Sequence, residues 1–375
     1  MIRSHPVGSD LIPTVFETLE KRTFLSASTA LEPDDGGSFL GQLPREITHV
    51  TSTVPSNGDV NPYGVAFVPQ QFPSGGKIHP GDVLVSNFNN KKNLQGTGTT
   101  IVDISPAGKQ SLFFQGKGLG LTTALGVMRG GFVLVGNVPT PDGMTVHGPG
   151  SLLVIDRNGH VVKTLQNSKL LDGPWDLTVD DDADDQGFAD VFVSNVLNGT
   201  VTRLVMEAMP QADTVKIVSE TQIASGYTFR TDPAALVVGP TGLAFDDARD
   251  TLYVASTGDN AIYAVHNAET TATRSGRGTL IYKDNKHLRG PLALAIAPNG
   301  DLLTANGDAV NPDTTNQHNS EIIEFTPTGK FVDSLQINPT AGGALGLAVQ
   351  VVGDDVSFAA VNDITNELDV WNFDQ

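Results

Sequence analysis

One short phrase recurs six times along this chain of 375 residues and limits what the chain can fold into. It consists of a small residue or proline, any residue, a glycine-like residue, and then alternating apolar positions. It reads Pro62-Tyr63-Gly64-Val65, Ala124-Leu125-Gly126-Val127, Pro174-Trp175-Asp176-Leu177, Pro240-Thr241-Gly242-Leu243, Pro291-Leu292-Ala293-Leu294 and Ala344-Leu345-Gly346-Leu347. The third positions fall at 64, 126, 176, 242, 293 and 346, at intervals of 62, 50, 66, 51 and 53 residues. A period near 50 marks an array whose units bury their apolar faces only against their neighbours.

Each phrase is followed by a second apolar strand that ends in a small polar residue. Five of these ends are Asn (Asn87, Asn137, Asn195, Asn306 and Asn362) and one is Ser256. A third strand and a turn follow, as in Ser151–Asp156 with Asn158-Gly159, a hairpin signal. Four short strands repeated six times predict an all-β chain, a six-bladed β-propeller of four-stranded antiparallel blades over residues 45–375. After Asn362 only Leu368–Phe373 reads as a strand, so residues 46–51 are expected to supply the missing outer strand and close the ring. Over almost all of this span the pattern resembles NHL repeats, and it looks like a group of uncharacterised bacterial NHL-repeat proteins. That resemblance implies the fold and no activity.

Composition agrees with short strands and tight turns, with Gly 40, Pro 22 and charged residues at 17%. The formal charge of −19 repels phosphates and anionic membranes, which argues against nucleic acid as a partner. No apolar stretch reaches the roughly 18 residues of a membrane span. The chain has no Cys, so disulfides, thiolate metal sites and cysteine nucleophiles are absent. Residues 1–44 read as leader and flexible linker. Within them Phe16–Ala27 is similar to the LEPR-xLL box of exported planctomycete proteins, departing from it at Lys21 and Phe24. The resemblance implies an exported or cell-surface bacterial protein. A monomer is expected.

Antiparallel pairing places the phrases and the Asn column at one mouth of the central channel. Two readings of the column stand: side chains that close turns, or amide oxygens that converge on a hard cation such as Ca²⁺. Asp176 favours the second, since it sets a carboxylate where the other repeats place Gly or Ala. Asp176, Asn195, Asn137 and Asn306 are therefore the candidate ligands of Ca²⁺ or another divalent cation. Gluconolactonase and paraoxonase-like six-bladed propellers are similar in architecture and imply such a set, although no Glu matching theirs is visible. No organic cofactor is indicated.

Long connections reach the same face and carry Lys91, Lys92, Asp142, His147, Asp308, Asp313 and His318. The segments entering blades four and five add Tyr227, Arg230, Asp232, His287 and Arg289. His147, His287 and His318 are the candidate acid–base residues. Tyr63, Trp175, Arg230 and Arg289 are the candidate ligand-binding residues. Virginiamycin B lyase propellers, which pair a divalent ion with a catalytic His, make a lyase conceivable, but no diagnostic motif is present. Asp180–Gly187 lacks the bidentate Glu of a Ca²⁺ loop and reads as a solvated acidic turn. Gly116–Gly120 lacks Walker spacing, and no Gly-x-Ser-x-Gly elbow occurs. Two functions remain. One is a binding or scaffold propeller taking a small molecule, glycan or protein on the Asn face. The other is a divalent-metal-dependent, lactonase-like hydrolase or lyase at the channel mouth.

Overall fold

The computed structural model describes residues 37–181, 187–233, 235–272, 276–312, 314–315 and 318–374. The LEPR-xLL-like box, Asp182–Asp185 and Asp313 lie outside the described residues. The propeller belongs to the compact unit of residues 35–375. It holds six four-stranded antiparallel blades over residues 60–115, 121–165, 174–225, 240–282, 291–336 and 344–374. The outer strand of blade six is His49–Ser52, which pairs with the C-terminal strand Glu367–Asp374 in the register His49↔Val370. The ring thus closes as the sequence predicts.

The recurring phrase has a physical cause. In all six blades the register of the innermost pair shifts across it, for example between Pro62 and Val65 and between Pro174 and Asp176. Such a bulge bends the inner strand at the phrase, and the third residue comes up against the neighbouring blade. A Cβ at Gly64 would lie 2.6 Å from the Thr123 carbonyl oxygen of blade two. At Gly126 it would meet the Leu177 side chain, at Gly242 the backbone of Leu292–Leu294, and at Gly346 the Tyr63 carbonyl. None of these four glycines has a left-handed φ, so room between blades, not backbone freedom, demands them. Hydroxyls of the second strand repair the interrupted ladder. Ser86 Oγ accepts from Gly64 N–H at 3.0 Å and Ser194 Oγ from Asp176 N–H at 3.1 Å, while Thr304 donates to the Ala293 carbonyl at 2.7 Å.

Apolar clusters fill the spaces between blades. One joins blades one and two around Leu84, Ile101 and Val133, and another joins blades three and four around Phe192, Leu252 and Val254. The blade six–blade one cluster continues into the channel mouth, where Tyr63, Phe88, Trp175, Val196, Leu236, Val237, Leu292 and Leu345 form a plug. Leu236 and Val237 come from an extra hairpin, Arg230–Asp232 paired with Leu236–Val238, inserted before blade four.

The end of the expected linker is not free chain. Phe39–Gln42 forms one helical turn capped by Ser38, and Phe39 is buried against Phe358 and Phe373. The buried Glu324 carboxylate accepts from the N–H groups of Phe39 (2.7 Å) and Leu40 (2.9 Å) and from the Ser38 hydroxyl.

The axial contacts give a differential prediction. Gly346→Ala drives a methyl into backbone and is expected to cost about 1–3 kcal/mol. Gly126→Ala meets the side chains of Leu177 and Val179 and no backbone, so it is expected to cost less than Gly346→Ala. Urea unfolding of the two variants checks the order, and equal losses contradict the inter-blade explanation.

Candidate functional site: the channel and its mouth

The Asn column is built into the entry of each blade. Pro62 pairs with Asn87, Pro174 with Asn195, Pro291 with Asn306 and Ala344 with Asn362, so phrase and column share one face. Each Asn then ties down the segment that enters its own blade. Asn137 Oδ1 accepts from Gly120 N–H (2.9 Å), Asn195 Oδ1 from Asp172 N–H (3.0 Å) and Asn306 Oδ1 from Arg289 N–H (2.9 Å). Their Nδ2 groups donate to Ser151, Leu170 and His287. Asn87 donates to the Thr53 carbonyl, and Asn362 bonds with Asn338 and Ile337. In blade four the job passes to Asp259, which accepts from Ser256 and from both Thr228 donors. These are turn-closing bonds, the structural one of the two expected roles.

Below the plug the innermost strands enclose a channel of about 400 Å³. Asp176 is its carboxylate. Oδ1 accepts from Leu177 N–H at 2.9 Å and Oδ2 from Leu243 N–H at 3.1 Å, so the side chain bridges blade three to blade four. Its other channel neighbours are mostly Val, Leu and Ala. Burial pushes its carboxyl up to about 8, against the pull of those two N–H groups.

Above the plug lies a second cavity, a cup of about 260 Å³. Tyr63, Phe88 and Trp175 line it, with ring centroids 5.5–6.2 Å apart. Asn61, Asn89, Asn93, Gln95, Thr257 and Asp363 add polar groups. Adjacent residues thus face opposite sides of the plug: Trp175 lines the cup and Asp176 the channel. Tyr63 borders both cavities, and burial raises its phenol so far that it stays neutral. The Trp175 indole N–H is buried beside that phenol without a hydrogen bond of standard geometry. Asp363 is held by Asn61, and burial pushes its carboxyl up to about 6. Backbone strain gathers around this rim. Asn61, Asn93, Leu236 and Asp308 have φ of 62°, 56°, 65° and 56°.

The candidate acid–base histidines are not brought together. His147 is exposed and its Nε2 lies 3.1 Å from Thr145 Oγ1 and 3.8 Å from Asp142. Hydrogen bonds, chiefly from Thr145, lower the Asp142 carboxyl. His287 stacks on Phe331 and its Nδ1 meets Asp284 at 2.6 Å and Tyr282 Oη at 3.0 Å. His318 Nδ1 lies 3.2 Å from Glu321. Each pairs with an acid of its own connection, and none lines the cup or the channel. Of the four candidate ligand contacts, Tyr63 and Trp175 line the cup, whereas Arg230 bonds Asp232 and Arg289 bonds the Asn311 carbonyl. Among the described residues Asp180, Asp247 and Glu269 bring carboxylate oxygens within 4.8 Å of one another, away from both cavities.

The expectations missed Asp363, Asn61, Asn89, Asn93, Gln95 and the inserted hairpin. A signal for Asp363 exists in the repeat. The residue after each column position is Phe88, Val138, Val196, Thr257, Gly307 and Asp363. Only blade six places a carboxylate there, by the same departure that singles out Asp176.

No protein-family model and no curated protein matches the chain. Solved structures match its fold. The calcium-binding protein regucalcin from Agrobacterium tumefaciens shares 11% identity over 86% of this chain and 94% of its own, with a TM-score of 0.51. A DUF4623 family protein from Bacteroides eggerthii shares 12% over 88% and 76%, also at 0.51. A gluconolactonase from Xanthomonas campestris shares 14% over 86% and 88%, at 0.49. At these identities the likeness is one of fold.

The raised carboxyl of Asp176 links stability to pH. Between the unfolded value of 3.8 and the folded value of about 8, only the folded chain holds the proton. Stability is therefore expected to fall with rising pH, by no more than about 1.4 kcal/mol per unit for this one group. Asp103, raised by burial to about 7, acts in the same direction but is spent earlier. Urea unfolding at pH 7 and pH 8 should show the decline in the native chain and a smaller one in Asp176→Asn. Equal slopes contradict the assignment.

Proposed function

We propose that this propeller binds a small molecule in the cup at the mouth of its channel. The observation that supports the reading is convergence. In one cavity an aromatic and aliphatic wall meets several amides, a hydroxyl and a half-buried carboxyl, the make-up of a small-molecule site. The loops that carry the polar groups are the blade-one connection (Asn89, Asn93, Gln95) and the turn after Asn362, both set on rigid strands. Crystals soaked with a fragment library test it. Fragments are expected to gather between Trp175 and Asp363, and density elsewhere with an empty cup overturns the reading.

A second reading, hydrolysis of a lactone or related ester, is supported by Asp363, whose carboxyl at about 6 is poised for proton transfer near neutrality. Its metal-dependent form needs more than Asp176 provides. A hard cation takes about six to eight oxygens. Around Asp176 the described residues assemble one carboxylate, both of whose oxygens already accept backbone N–H groups, among apolar neighbours. Those residues do not fit a divalent ion. Lactone hydrolysis assays check the second reading. Asp363→Asn is expected to lower kcat/KM by roughly 10²-fold if Asp363 moves the proton. An unchanged rate removes it.

A further inference from the structure

We propose that the ligand of the cup is a small organic cation, an ammonium whose charge is matched by Asp363 and whose apolar body lies against Tyr63, Phe88 and Trp175. The proposal rests on the binding reading above and deepens it. Three observations carry it.

The first is the charge inventory of the wall. Asp363 is the one carboxyl among the described residues lining the cup, and no Lys, Arg or His lines it. The other polar groups are amides, the Thr257 hydroxyl and the Tyr63 phenol. An anionic ligand finds no counter-charge here, whereas a cation finds one.

The second is an uncompensated acceptor. Asn61 holds Asp363 with its side chain, and its own Oδ1 is buried without a hydrogen-bond partner. Its main chain is pinned at φ 62° by a 2.7 Å bond from its N–H to Asn366 Oδ1. Two centres of negative potential therefore sit side by side, one of them fixed in place by the backbone. Placing a cation beside them lowers the electrostatic cost of keeping both there.

The third is the aromatic wall. Three rings in mutual contact in the wall of a cavity that a carboxyl also lines suit a desolvated ammonium better than a neutral polyol. The carboxyl pushed up to about 6 by burial agrees with a site whose charge is balanced only when a cation arrives. The chain's charge of −19 favours the approach of cations to every face.

The test uses the full chain, choline, and its uncharged isostere 3,3-dimethylbutan-1-ol in calorimetric titrations. Choline is expected to bind about tenfold or more tightly than the alcohol, a margin that one desolvated cation contact supplies. Asp363→Asn, which keeps the shape and removes a half-buried charge, is expected to erase that margin while leaving the melting temperature at or above that of the native chain. Equal affinity for the two probes, no choline binding, or a margin that survives Asp363→Asn each overturns the proposal. Fragment density in the cup separates the two failures: if it is present, the site stands and only the cation is wrong.

Discussion

The structure depends on how closely six innermost strands approach one another around the axis. Next to a bulge in each inner strand, the third position of the repeated phrase comes up against the next blade, and four of the six are glycines, three of which face backbone with no space for a methyl group. The contact runs in one sense around the ring. Gly64 faces blade two, Gly126 blade three, Asp176 blade four, Gly242 blade five and Gly346 blade one. This packing brings Tyr63, Trp175, Leu292 and Leu345, each one residue before the third position, to the mouth as a plug. The floor of the cup is therefore a by-product of ring closure. Its rigidity comes from the same contacts that hold the blades together.

Asp176 shows what happens when the rule is broken. A carboxylate fits in blade three because its second oxygen bonds Leu243 N–H of the facing blade, replacing van der Waals closeness with a hydrogen bond. The exchange leaves a charge-bearing group in an apolar channel, which burial drives toward its neutral form. That is a structural use of an acid. The same residue reads from sequence as a metal ligand, since spacing reveals that a carboxylate is present and not which atoms its oxygens meet.

The architecture was legible for a physical reason. Blade number, strand ends, the shared face of phrase and column, and closure by residues near 49 all follow from local periodicity and antiparallel pairing. The site was less legible because its parts come from outside the period. Leu236 reaches the plug through a hairpin whose left-handed φ of 65° no side-chain pattern announces. Phe39 docks through Glu324, nearly the length of the propeller away in sequence. The histidines illustrate the opposite error. They share a face, but each is held by a neighbour in its own connection, such as Asp284 for His287 or Glu321 for His318. Sharing a face of a propeller this wide does not bring side chains within reach.

Repeated and unrepeated residues divide the work. Where five blades agree, as in the Asn column, the side chain is consumed by a bond that ties down the entry of its blade. Where one blade departs, the side chain is released from that duty. Ser256 departs and Asp259 takes over its task, which marks the departure as structural. Asp363 departs and nothing in the repeat requires it, since five blades hold the same position without an acid. A carboxyl kept half-buried at an energetic cost, beside an acceptor without a donor, serves no folding need visible in the ring. Stability alone would replace it with one of the uncharged residues found in the other five blades. That cost makes the wall around Asp363, and not the more regular ring of asparagines, the place where this fold has been adapted to a ligand.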